Sequence, residues 1–154
     1  RKLALHRPQD AIICACDGVN YLNSLKAAEE FFEAANAALK VGGLLLFDIS
    51  SQYKLENILG CNTFAEDEQG GAYIWKNNYD PKSRLIEMEL TFFERQGELY
   101  RRFTERHIQR AHGVDELLSA LNRAGFDAEA YDFETMDPVK PDSERVQFSG
   151  RKRR

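Results

Sequence analysis

Asp10-Ala-Ile-Ile-Cys-Ala-Cys-Asp17 and Leu44-Leu-Leu-Phe-Asp-Ile49 are two short apolar runs, each with an aspartate at or near its carboxyl end. Continuous rather than alternating apolarity suits strands buried on both faces of a parallel sheet. Between the runs, Ala28, Phe31, Phe32, Ala35, Ala38 and Leu39 recur at steps of three and four, the stripe of an amphipathic helix. Asn23 or Ser24 stands where a cap is needed, and Val41-Gly42-Gly43 where the helix must stop. Strand, helix and strand on short links read as a βαβ crossover. The fold class is α/β.

Downstream the pattern changes. A short helix is expected over 52–59, then strands over 72–79, 84–94 and 99–110. Ile86, Met88, Leu90 and Phe92 alternate with Glu87, Glu89 and Thr91, as in a sheet with one dry face. Asp80-Pro81-Lys82-Ser83 and Arg95-Gln96-Gly97-Glu98 have turn chemistry. Residues 72–110 therefore read as a three-stranded antiparallel meander, too small to stand alone, inserted into a single α/β domain spanning 1–154. The last third returns to α/β grammar. Val114, Leu117, Leu118, Leu121 and Ala124 make a helical stripe, followed by strands over 128–133 and 144–150.

The chain has 154 residues, 43% hydrophobic and 30% charged, with a formal net charge of −4. That balance suits one folded domain and argues against a nucleic-acid binder built on a broad basic face. No apolar run approaches the roughly 18 residues that a membrane span requires. Three cysteines, Cys14, Cys16 and Cys61, do not form a disulfide framework, so a cytoplasmic, reducing compartment is expected. Cys14 and Cys16 read as small core residues of a strand. Arg151-Lys152-Arg153-Arg154 reads as a frayed, solvated tail, and the opening Arg1-Lys2-Leu3 points to a piece of a longer chain.

In open α/β sheets ligands bind beyond the carboxyl ends of the strands. Asp17, followed by Asn20 and Tyr21, and Asp48, followed by Ser50, Ser51 and Tyr53, place polar groups at two such ends. The segment from Arg101 to Arg110 puts charged and polar groups on both faces of its strand, including Glu105, His107 and Gln109. It reads either as a polar wall facing a cleft or as an edge strand protected by charge. His6 and His112 fall at expected loop positions, without evident partners.

The stretch from Asp10 through Asp17-Gly-Val-Asn-Tyr-Leu22 resembles the fourth strand and following loop of class I S-adenosylmethionine-dependent methyltransferases. Leu39-Lys-Val-Gly-Gly-Leu-Leu-Leu-Phe-Asp48 resembles their helix-to-fifth-strand turn, and Leu117-Leu-Ser-Ala-Leu-Asn-Arg-Ala-Gly-Phe126 the helix before their sixth strand. The meander resembles that of a small-molecule subgroup that includes sugar-amine N-methyltransferases. The family's glycine-rich loop and ribose-binding acid are absent, and Arg1-Lys2-Leu3 resembles the residues just after its adenine-side acid. The resemblance thus implies the later strands of a Rossmann-like methyltransferase sheet, holding the transfer side and little of the cofactor cradle.

On that resemblance the cofactor is S-adenosylmethionine and the partner a small-molecule methyl acceptor, with a homodimer as a further expectation. Cys16, Asp17 and Gly18 would border the cofactor's methionine end. Asn20 and Tyr21 would orient the acceptor, Tyr21 also taking a proton by relay, while Asp48, Tyr53 and His107 would line the acceptor pocket. The alternative is a non-catalytic methyltransferase-like binding or regulatory module. A nucleotide-binding oxidoreductase of related topology is disfavoured by the absent glycine loop.

Overall fold

The computed structural model describes residues 6–154. Strand β1 (Gln9–Cys14), helix α1 (Leu25–Ala38) and strand β2 (Leu39–Ser50) form the crossover, with β1 and β2 parallel and Ile12 opposite Leu45. Ser24 caps α1, its hydroxyl accepting from the Ala27 N–H at 3.1 Å. The helix ends at Ala38, before the glycines expected to stop it. Those glycines lie inside β2, where the register jumps from Gln9↔Leu39 to Ala11↔Leu44. The extra residues bulge, and Gly42 takes a φ of 79° that other residues rarely adopt.

Strands β3 (Thr63–Glu68), β4 (Gly71–Asp80), β5 (Leu85–Gln96) and β6 (Leu99–Arg110) follow as an antiparallel meander in sequence order. The expected three strands are joined by a fourth, so the sheet begins at Thr63 rather than Ala72. Thr63-Phe-Ala-Glu-Asp-Glu68 hid it by carrying three consecutive acids, the composition of a solvated edge. The expected helix over 52–59 is present, its Lys54–Leu59 part wound as a π-helix. Its buried Leu55 and Leu59 pack with Ile86, Met88 and Ala111 of the meander side into a small second core.

Helix α2 (Val114–Arg123), strand β7 (Phe126–Asp132) and strand β8 (Arg145–Lys152) complete the first sheet, whose order is β1-β2-β8-β7. β8 runs antiparallel to both neighbours. The main core lies between this sheet and the two helices, where Phe47 stacks on Phe148 at 4.7 Å between centroids and Phe32 packs on Phe47. Burial follows strand alternation rather than covering both faces. Leu45, Phe47 and Ile49 are buried, Leu44 and Leu46 half so, and Ile13 on edge strand β1 is 71% exposed.

The basic terminus is not frayed. Arg151 and Lys152 belong to β8, and the Lys152 ammonium donates to the Asn36 and Leu39 carbonyls at the end of α1. Arg153 donates to the Asn122 carbonyl at the end of α2. Cations at helix carboxyl ends satisfy orphan carbonyls and complement the dipole. Among the described residues no helix is long and apolar enough to cross a membrane. Arg1-Lys2-Leu3 lies outside the described residues.

Candidate functional site

Parallel pairing of β1 and β2 brings their carboxyl ends to one rim. There the Asp17 backbone N–H donates to Asp48 Oδ2 at 3.0 Å. Asp48 is only 3% exposed and receives Arg145 Nε on the same oxygen at 2.7 Å, while the guanidinium covers the Phe133 ring at 5.0 Å. Asp48, Arg145 and Phe133, with Ile13, Cys16 and Gln147, line a cavity of about 300 Å³. Asp48 was expected to touch an acceptor. Its paired carboxylate instead anchors the rim beneath the Asp17 turn.

The chain leaves β1 through two consecutive left-handed residues, Cys16 at φ 59° and Asp17 at φ 50°. For residues other than glycine such backbone stores strain, which persists only where surrounding contacts over-determine it. Here Asp48 grips the Asp17 amide, and Gln109 Nε2 donates to the Asp17 carboxylate at 2.7 Å. Cys16 is exposed beyond the strand end, not a core residue. Gly18 lets the turn settle onto Cys14, whose sulfur would stand 2.8 Å from an added Cβ. Burial, helped by the Asp48 charge, pushes the Cys14 thiol above its ordinary range.

A single 3-10 turn, Gly18–Tyr21, follows. Within it Asn20 is fully buried. Its amide nitrogen donates to the Ser50 and Arg110 carbonyls at 2.9 and 3.0 Å, and its oxygen accepts from the Ser50 N–H at 3.0 Å. Both donors are spent on backbone. Asn20 therefore clamps the turn to the ends of β2 and β6 rather than presenting its side chain to an acceptor.

Tyr21, the next residue, points the other way and is 46% exposed. Its hydroxyl lies 3.0 Å from His107 Nδ1, and His107 Nε2 lies 3.2 Å from Glu105 Oε2. A carboxylate only accepts, so in the neutral ring Nε2 carries the proton and Nδ1 accepts from the tyrosine. The rings meet edge to face at 5.9 Å. Glu105, His107 and Gln109 alternate along β6 and share one face. β6 is an edge strand, as one of the two sequence readings has it. Arg145 and Phe133 were not selected from sequence, and Glu105 and Gln109 only as members of a polar strand. The alternation within Glu105-Arg-His-Ile-Gln109 was the available signal for the latter two.

Tyr53 lies elsewhere. With Ser51, His112 and Lys140 it lines a second cavity of about 360 Å³, and no hydrogen bond joins it to the Tyr21–His107 pair. His112, expected in a loop without partners, is fully buried and donates Nε2–H to the Leu22 carbonyl at 2.9 Å. Glu116 approaches its Nδ1 to 3.5 Å within a cluster completed by Arg84 and Arg110.

No protein-family model matches the chain. A Bacillus subtilis protein named "Putative methyltransferase YqeM" is 33% identical over 145 residues, which are 93% of this chain and 58% of that protein. The crystal structure of an S-adenosylmethionine-dependent methyltransferase from Clostridium acetobutylicum matches at a TM-score of 0.92 and 31% identity, covering 99% of this chain and 62% of that one. CalS10, an amino pentose methyltransferase from Micromonospora echinaspora solved with S-adenosylmethionine bound, matches at 0.75 over 97% of this chain and 61% of that one. At 18% identity that last likeness is one of fold alone. The chain thus spans 58% and 59% of the lengths of two curated relatives it matches. Its mixed sheet, two helices and inserted meander form a Rossmann-like methyltransferase fold.

Proposed function

We propose that this chain supplies the transfer side of an S-adenosylmethionine-dependent methyltransferase acting on a small polar molecule that carries an amine. The observation that carries the reading is the Tyr21–His107–Glu105 chain beside the strand-end rim. An amine must lose a proton to attack or to leave as product, and a positioned base assists that step. In this reading the acceptor's proton passes to the Tyr21 oxygen as the tyrosine proton passes to His107 Nδ1. Glu105 then pairs the imidazolium, in the manner of a base oriented by a third group. Asn20 and Gln109 act as positioning residues, fixing the turn that aims Tyr21.

The residues at the rim fit the methionine end of the cofactor. Gln109, an uncharged amide, holds the Asp17 carboxylate, and among the described residues no cation pairs with it, so its charge is left to favour a cationic group. Cys16 and Gly18 flank it on exposed or half-exposed backbone. S-adenosylmethionine, when bound, supplies an electrophilic methyl group on a sulfonium. The protein's share is alignment, and reacting atoms held at about 3–3.5 Å recover several kcal/mol of barrier. Three free thiols, at Cys14, Cys16 and Cys61, support a reducing, cytoplasmic setting.

Calorimetric titration of S-adenosylmethionine into this chain and into the whole protein tests the assignment. Binding by the whole protein, weakened by Asp17→Ala, is expected, with weak or no binding by this chain alone. No binding by the whole protein would leave a non-catalytic module of the same fold.

A further inference from the structure

The meander carries more on the face of the tyrosine–histidine pair than that pair requires. Register sets Tyr73 opposite Phe92 and Phe92 opposite Phe103. Their rings follow as a ladder, with centroids 6.4 Å and 5.1 Å apart. Because side chains alternate along β6, Phe103 shares the face of Glu105 and His107. Phe103 is 38% exposed, and Tyr73 and Phe92 are half-buried. Cross-strand packing aligns the three rings, and their partial exposure leaves an apolar strip rimmed by charge, the form a binding surface takes.

The rim has a sign. Glu66, opposite Tyr73, and Glu68, Glu94 and Glu105 lie on this face, against Arg101. Arg101 is already 3.9 Å from Glu94. The surface is thus matched to a cation with a flat apolar body. Phe103 stands four residues from His107, about 13 Å along a strand that rises ~3.3 Å per residue.

We infer that the ladder holds the far end of the acceptor, an elongated ammonium compound whose amine reaches Tyr21 and whose second ring lies on Phe92 and Phe103. This inference rests on the methyl-acceptor reading above and names its substrate class. The structure favours this occupant over a second copy of the chain because the strip shares a strand face with the proton relay and is acidic at its edge.

The test is an NMR titration of the isotopically labelled whole protein with benzylamine and with 4-(aminomethyl)biphenyl, alongside sedimentation. The biphenyl amine should bind about tenfold more tightly, the scale of an added aromatic contact, and should shift signals of Phe103, Tyr21 and His107. Phe103→Ala, and Phe103→Leu, which keeps the strand apolar, should reduce its affinity to that of benzylamine. Equal affinity for the two amines, with Tyr21 and His107 still shifted, overturns this inference and leaves the methyl-acceptor reading standing. Ring-dependent binding that leaves Tyr21 and His107 unmoved overturns both. A dimer dispersed by Phe103→Ala also overturns the inference, making the strip a self-association face.

Discussion

The Tyr21 hydroxyl sits 3.0 Å from His107 Nδ1 although 86 positions separate them in the chain. One belongs to the turn after the first strand of the α/β sheet, the other to the last strand of the meander. The pair therefore exists only when the insertion is docked on the body. Removing the hydroxyl by Tyr21→Phe should lower kcat in the whole protein by about 10²-fold, the lower end for a positioned acid or base. Cofactor affinity and unfolding midpoint should stay put, because the tyrosine is half-exposed; steady-state kinetics and a denaturation curve check both.

Asn20 should behave in the opposite way. Asn20→Ala strips three hydrogen bonds from part-buried backbone groups of Ser50 and Arg110. Leaving such groups unsatisfied costs roughly 2–4 kcal/mol in total. Urea unfolding should show a lower midpoint at an unchanged slope, the mark of lost stability rather than altered compactness.

Asp48 holds the rim electrostatically. Asp48→Ala would leave Arg145 and the Asp17 N–H without their shared acceptor. Breaking a buried pair from one side costs about 3 kcal/mol where desolvation is nearly complete. Arg145 keeps partial access to water, so Asp48→Ala should cost less than Arg145→Ala, which leaves the buried Asp48 carboxylate without its cation. Denaturation of the two single variants ranks them, and equal losses would contradict the asymmetry.

Acid should weaken the domain in two stages. Burial pushes His112 below its ordinary 6.5; the Leu22 carbonyl opposes this, Arg110 and Arg84 reinforce it, and Glu116 opposes it. The unfolded chain then takes up a proton that the folded chain refuses, so stability declines as pH falls below 6.5. Burial would raise Glu116, but the Gly113 N–H and the Arg84 guanidinium outweigh it and hold the carboxyl below 4.5. Its contribution is present above that value and is lost as pH falls further. His112→Gln should flatten the stability curve between pH 6.5 and 4.5 while leaving the steeper acid limb.

Much of this was legible in the chain because periodicity reports burial. The Phe32 stripe, the runs ending at Asp17 and Asp48, and the alternation from Ile86 to Phe92 all became the expected elements. β3 was hidden because its acids satisfy an edge strand's need for charge and mask its pairing with β4. Asn20 looked like a ligand-facing residue, since exposed and buried asparagines are identical in sequence. The roles of Arg145, Gln109 and Lys152 depend on contacts roughly a hundred residues away, at Asp48, Asp17 and Leu39. No local pattern encodes those.

The central claim is that a tyrosine–histidine relay on this chain takes the acceptor's proton during methyl transfer. It is tested most directly by kcat of the whole protein and of its His107→Gln variant, with S-adenosylmethionine and an amine. The account predicts a rate about 10²-fold lower in the variant, with cofactor affinity unchanged. An equal rate in both proteins would contradict it.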